Sequence, residues 1–221
     1  MVSVARARGL IAVEGVIGVG KTSLARRLAH RLGAELLLER PEDNPFLARF
    51  YADGARHALA TQLCFLFQRI DQFRALAQPD LFRAGTVSDF LFDKDPLFAQ
   101  LTLADDEFAL YERIFATLKP QAPRPDLVIF LRAPLAVLQA RIARRGRSFE
   151  NTLITDDDGA RYLQALAAAY DRFFQRYDEA PVFIVDAARA NLVDEQVDFD
   201  RLVERLASMR DRREVLDEDH P

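Results

Sequence analysis

An α/β fold, a parallel sheet with helices packed against it, follows from three features of this 221-residue chain. The apolar run Leu10-Ile11-Ala12-Val13 leads through the glycine-rich stretch Gly15-Val16-Ile17-Gly18-Val19-Gly20 into the helical pattern of Lys21-Thr22-Ser23-Leu24, so strand, tight loop and helix follow directly. Four more short runs, at residues 35–39, 85–89, 126–131 and 182–186, alternate with longer segments of helical period, the order expected of strand–helix–strand units. The run Asp126-Leu127-Val128-Ile129-Phe130-Leu131 is apolar almost throughout, as a central strand covered on both faces requires. Five parallel strands are expected.

The length suits one α/β domain spanning residues 1–221. With 50% hydrophobic and 29% charged residues the chain can fill a core, and it contains neither an internal repeat nor a low-complexity tract. A net charge of −4 argues against a general nucleic-acid binder, although basic residues gather at 141–147. Residues 1–8 lack an apolar signal region and no window reaches the ~18 apolar residues of a membrane span, so a soluble, cytoplasmic protein is expected. The one cysteine, Cys64, cannot form an internal disulfide and lies in an apolar helical pattern, where it is expected to fill the core. His30, His57 and His220 lack metal-ligand spacing.

Taken in order, Glu35-Leu36-Leu37-Leu38-Glu39 reads as a short buried strand stopped by Arg40-Pro41, because proline cannot continue the ladder. Residues 56–78 form one long helix with Leu59, Leu63, Leu66, Ile70, Phe73 and Leu76 at helical spacing, and Gln62 and Arg69, seven apart, interrupt that apolar stripe. Polar groups there need partners or line a pocket. Gly85-Thr86-Val87-Ser88-Asp89 is a strand ending in an acid, residues 104–118 a second amphipathic helix, and Pro120-Gln121-Ala122-Pro123-Arg124-Pro125 a stiff connector. A helix begins after Pro134 and runs into Arg141-Ile142-Ala143-Arg144-Arg145-Gly146-Arg147-Ser148-Phe149-Glu150. Thr155-Asp156-Asp157-Asp158 resembles a capping box for a helix over residues 156–178. Val182-Phe183-Ile184-Val185-Asp186 is the last strand, residues 198–210 the last helix, and the charged tail from Asp211 is expected to fray.

The chemistry starts at Gly15 to Thr22, which fits G-x-x-x-x-G-K-[ST] without a gap. Backbone N–H groups around Gly15, Gly18 and Gly20 and the helix start at Thr22 and Ser23 form a cradle for a polyphosphate, with Lys21 on the outer phosphates and Thr22 on Mg²⁺. A P-loop fold of three layers that binds a nucleotide is therefore expected, and what is done with the nucleotide must be read from other residues. Asp89 is a candidate carboxylate near the same Mg²⁺. Glu39 sits at a strand's carboxyl end, where open α/β sheets bind ligands, and is a candidate general base. Arg141 and Arg145 share a helix face and Gly146 lets Arg147 turn towards the same anion, an arginine-rich lid at about residues 141–155.

Jointly these positions resemble the deoxyribonucleoside kinase family, over most of the chain. The family's catalytic glutamate corresponds to Glu39. Its tyrosine eleven residues before a glutamine, with an arginine seven further on, corresponds to Tyr51, Gln62 and Arg69, and its lid pattern R-x-x-x-R-x-R with a later glutamate to Arg141, Arg145, Arg147 and Glu150. The resemblance implies that the γ-phosphoryl of ATP passes to the 5′-hydroxyl of a deoxynucleoside in nucleotide salvage. It further implies that Tyr51 and Glu150 hold the sugar, that Gln62 and Arg69 address the base with Asp95 as the partner of Arg69, and that the chain is a homodimer. An Arg69–Asp95 pair suits a purine or cytosine better than thymine. One departure stands out: the family's acid-Arg-Ser triplet reads Asp89-Phe90-Leu91, and Lys94 or an arginine elsewhere is left to supply the missing charge. Two other readings stay open, a monophosphate kinase of the thymidylate kinase sort and a non-catalytic nucleotide-binding subunit.

Overall fold

In the computed structural model, which describes residues 9–76, 85–147 and 150–216, one sheet organises the chain. Its strands are β1 (Leu10–Gly15), β2 (Glu35–Leu37), β3 (Thr86–Ser88), β4 (Leu127–Arg132), β5 (Val182–Asp186) and β6 (Arg213–Val215). They run in the order β2-β3-β1-β4-β5-β6, and every neighbouring pair is parallel. Ile11 lies opposite Val87 on one side and Leu127 on the other, so β1, with both edges paired and all six residues buried, is the axis of the sheet.

Helices flank this sheet: α1 (Lys21–Leu32), α2 (Leu47–Ala52), α3 (Gly54–Leu76), α4 (Asp95–Thr102), α5 (Asp105–Leu118), α6 (Leu135–Arg145), α7 (Thr152–Thr155), α8 (Asp157–Arg176) and α9 (Gln196–Ser208). The main core packs β1, β4 and β5 residues such as Val13, Ile129 and Phe183 against Leu24 and Leu28 of α1, Leu138 of α6, Leu166 and Tyr170 of α8, and Leu202 of α9. A second core joins Leu66, Ile70 and Phe73 of α3 to Phe90, Phe92 and Tyr111. No helix among the described residues is long and apolar enough to cross a membrane.

The expected α/β architecture holds, with six strands in place of five. The added strand, β6, lies in the segment expected to fray. Arg213-Glu214-Val215 has none of the apolar alternation that marks a strand, yet it needs none, because an edge strand is held mainly by its backbone ladder and charged residues discourage further pairing there. Val182 N–H donates to the Arg212 carbonyl (2.8 Å) and Leu216 N–H to that of Ile184 (2.9 Å), while Glu214 accepts from the N–H groups of Arg210 and Asp211. Residues 217–221 lie outside the described residues, as do residues 1–8, residues 77–78 of the expected long helix, and Ser148 and Phe149 of the lid.

Three more expectations are corrected. The strand at 35–39 is shorter, ending at Leu37, and is a half-exposed edge strand instead of a buried one, with Leu36 37% exposed. Thr155 does not cap α8; it closes the short α7, and Asp156 takes the N-cap, accepting from Gly159 N–H at 2.6 Å. Cys64 is half-exposed on α3, outside both cores.

Deleting residues 210–221 is expected to uncover the β5 edge and to lower unfolding free energy by about 1–3 kcal/mol, from the lost ladder bonds alone. Urea unfolding followed by circular dichroism would measure it, and an unchanged midpoint would show that β6 adds nothing.

Candidate active site

Two cavities open at the carboxyl edge of the sheet, where the strands hand over to loops. The first, of about 730 Å³, is lined by Gly18, Gly20, Lys21, Thr22 and Ser23, by Arg141, Arg144, Arg145 and Arg147, and by the segment after β5. The second, of about 500 Å³, is lined among others by Glu39, Tyr51, Gln62, Arg69, Lys94, Glu150 and Tyr162. Lys21, Thr22, Arg145 and Arg147 line both, so the two spaces meet at the glycine loop.

The loop reverses tightly between β1 and α1. Gly18 has φ +85°, and a β-carbon there would lie 2.9 Å from the Leu138 carbonyl and 2.8 Å from Ile142, so glycine is what lets α6 pack on the loop. Lys21 Nζ donates to the Gly15 carbonyl at 2.7 Å, folding the ammonium onto its own loop. Burial lowers its pKa, and the Glu14 carboxylate opposes that. From α1, the Thr22 hydroxyl donates to Asp89 Oδ2 at 2.6 Å, while Asp89 Oδ1 accepts from Glu39 N–H at 2.7 Å. Asp89 thereby ties the phosphate loop to the exit of β2. Burial raises the Asp89 carboxyl, against the pull of the Thr22 hydroxyl.

Glu39, two residues beyond β2, is surrounded by cations. Arg69 grips it through Nε (3.1 Å) and NH2, and Lys94 Nζ lies 3.6 Å away. Burial alone would raise the Glu39 carboxyl, but Lys94 and Arg69 outweigh it and hold the group below the usual carboxylate range. The same guanidinium gives NH1 to Asp95 Oδ1 at 2.5 Å. Asp95 is 1% exposed and stands behind Arg69, its Oδ2 without a hydrogen-bond partner among the described residues. Burial pushes its carboxyl up to about 6, against Arg69. Gln62 donates to the Thr102 hydroxyl at 3.3 Å. Burial raises the Tyr51 phenol, and the nearby Tyr162 and Glu150 add to the rise.

The lid arginines Arg141, Arg145 and Arg147 are all engaged with protein groups. Gly146, at φ +68°, ends α6 and turns the chain, as the sequence requires. Arg145 is paired with Glu150, and Arg147 with Glu42 at 2.6 Å across the mouth of the second cavity. Arg141 is anchored on carbonyls, donating to Val19 at 2.8 Å and Ala187 at 2.7 Å, and thus bolts the glycine loop to the segment after β5. Every residue singled out from the sequence except Asp95 and Gly15 lines one of the two cavities.

Sequence reasoning missed Glu14, Glu42 and Tyr162. For Glu14 a signal existed, since a charged residue closes an otherwise apolar buried strand and an unpaired charge there would be costly. Glu42 and Tyr162 stand in exposed-looking polar surroundings and give none.

A phosphate loop, a carboxylate on the neighbouring strand exit and an acceptor cavity between them define a P-loop phosphotransferase. The chain belongs to the deoxynucleoside kinase family, whose model matches residues 11–210. It is 32% identical to a deoxyguanosine kinase of Bacillus subtilis over 87% of this chain and 93% of that one. It is 29% identical to a deoxyadenosine/deoxycytidine kinase of the same organism over 90% and 92%. A solved structure of a deoxyadenosine kinase from M. mycoides, with dCMP and dCDP bound, superposes with a TM-score of 0.76 at 25% identity, covering 90% of this chain and all of that one.

Proposed function

We propose that the chain transfers the γ-phosphoryl group of ATP to the 5′-hydroxyl of a purine deoxynucleoside or deoxycytidine, in nucleotide salvage in the cytoplasm. What supports this reading above all is the meeting of the two cavities at Lys21 and Thr22, with Glu39 hung from Asp89 beside that junction. The donor triphosphate lies along the loop amides and α1. The acceptor lies over α3, its sugar against Tyr51 and Glu150 and its base against Gln62 and Arg69.

Glu39 takes the 5′-hydroxyl proton as the new P–O bond forms and the bond to the β-phosphate oxygen breaks. Arg69 is central to the timing of that step. While it grips Glu39 the carboxylate is a poor base, so the incoming nucleobase, by offering acceptors to the guanidinium, frees the carboxylate for the sugar end. Thr22 and Asp89 present hard oxygens beside the phosphate loop, a donor set that fits Mg²⁺, which keeps several waters and needs only one or two protein ligands. Bound there, the ion would neutralise charge on the β and γ oxygens. Arg145 and Arg147, lining both cavities, supply cationic compensation as the lid closes.

A homodimer forms through α3 and α5, where Phe67 is 47% and Leu110 48% exposed, large apolar side chains that the monomer leaves in water.

Incubation with labelled ATP and a panel of deoxynucleosides and monophosphates tests the reaction; phosphorylation of monophosphates alone would refute it. In that assay Glu39→Gln is expected to lower kcat by about 10²–10⁴-fold, and normal turnover would refute the base assignment. Asp95→Ala is expected to change the order of preferred bases, because Arg69 loses the partner that aims it; an unchanged order sinks the recognition scheme. Sedimentation equilibrium should return twice the 25.1 kDa of the chain, and a monomer at micromolar concentration would contradict the dimer.

A further inference from the structure

Lys94 is the most unusual cation of the molecule. It is 2% exposed, yet its ammonium lines the acceptor cavity beside Glu39 and over the Phe98 ring. Its position is built. It ends the 3₁₀ turn Phe92–Lys94, and the buried Glu14 holds that turn at both ends, accepting from Leu91 N–H at 2.7 Å and facing Lys94 Nζ at 3.6 Å. Glu39 faces the same ammonium at 3.6 Å from the other side. Both contacts are ion-pair distances longer than hydrogen bonds, so the three N–H donors of a buried ammonium have two carboxylates to balance their charge and room for a closer oxygen.

Phe90 is turned away from the reaction into the second core, 5.3 Å from Phe73, so the residue following Asp89 brings no charge to the junction. Lys94, four residues later, lines the cavity beside Glu39. It also lies near the phosphate loop: Lys21 is lowered first by burial, Glu14 opposes this, and Lys94 adds to the lowering. Balanced by Glu14 and Glu39 in the empty protein, this second positive charge adds to the attraction that Lys21 exerts on an anion reaching the junction.

We propose that Lys94 is a catalytic residue of the phosphoryl transfer, its ammonium meeting the 5′-oxygen and the arriving phosphoryl oxygens at the acceptor end while Glu14 clamps it in place. This rests on the deoxynucleoside kinase reading and adds to it a cation at the acceptor end of the site.

The experiment compares wild-type, K94M, K94R and E14Q/K94M chains by kcat and KM for ATP and the preferred deoxynucleoside, with thermal unfolding as the check on folding. K94M is expected to lose about 100-fold in kcat while both KM values stay within about threefold, since the charge acts on the transition state more than on the ground state. K94R should retain more than about a tenth of the wild-type kcat, and E14Q/K94M, which buries no lone charge, should fold and be as slow as K94M. Wild-type kcat in either folded neutral variant overturns the proposal, and so does failure of both to fold, which would make Lys94 a cation of the core only. A wild-type chain that phosphorylates no deoxynucleoside overturns the kinase reading and this proposal together, whereas an active wild type beside an equally active K94M overturns the proposal alone.

Discussion

The site depends on one buried carboxylate. Glu14, fully enclosed at the end of β1, accepts from Gly15 N–H at 2.9 Å, from the Tyr170 hydroxyl at 2.9 Å and from Leu91 N–H at 2.7 Å, and it faces Lys94. These four contacts come from the phosphate loop, from α8 and from both ends of the turn after β3. Taking a carboxylate out of water is expensive unless its lone pairs are filled and its charge is balanced, and here both conditions are met only when all these segments are in place. The same residue that would be a defect in an isolated strand therefore makes the loop, the β3 exit and α8 assemble together.

From that anchor the charges alternate outwards. Asp89 takes the Thr22 hydroxyl on one oxygen and Glu39 N–H on the other, Arg69 takes Glu39 and Asp95, and Lys94 stands between Glu14 and Glu39. Such a network holds its geometry because no member can move without leaving another underpaired in a low-dielectric space. Its weak points are informative. Asp95 Oδ2 and the Tyr111 hydroxyl have no hydrogen-bond partner among the described residues, and Asp95 holds Arg69 through NH1 while Nε and NH2 go to Glu39 at the cavity.

Much of this was legible in the chain because the signals are local. The glycine loop, the apolar strands and the turn at Gly146 depend on residues next to one another, so periodicity and backbone chemistry reveal them. Gln62 and Arg69 were found through spacing along a helix and Tyr51 through the family resemblance, and the structure brings all three to one cavity. What was hidden depends on partners distant in sequence. Glu14 meets Tyr170 156 positions away, and nothing near either residue announces the pairing. β6 is a strand only because β5 presents an open edge; two of its three residues, Arg213 and Glu214, are charged. Leu36, in a run of leucines, reads as buried until one sees that β2 is the last strand on its side of the sheet. Arg141, grouped by its pattern with the phosphate ligands, instead spends its donors on the carbonyls of Val19 and Ala187, a choice that depends on where a segment some forty residues later folds back.

The lid shows how the network accommodates a highly charged visitor. Three guanidinium groups beside a phosphate site would repel one another if left bare, and bare arginines would also attract any free anion. Pairing Arg145 with Glu150 and Arg147 with Glu42 removes both problems in the empty protein. On the proposed reading, a triphosphate competes with those carboxylates for the same forks, and it offers more charge and more oxygens than either glutamate. Exchange of partners leaves each arginine compensated before and after. Glu150, released from Arg145, is then free for the sugar beside Tyr51. Donor binding would in this way prepare the acceptor pocket through a single carboxylate shared between the lid and the sugar, with no need for a long-range rearrangement of the sheet.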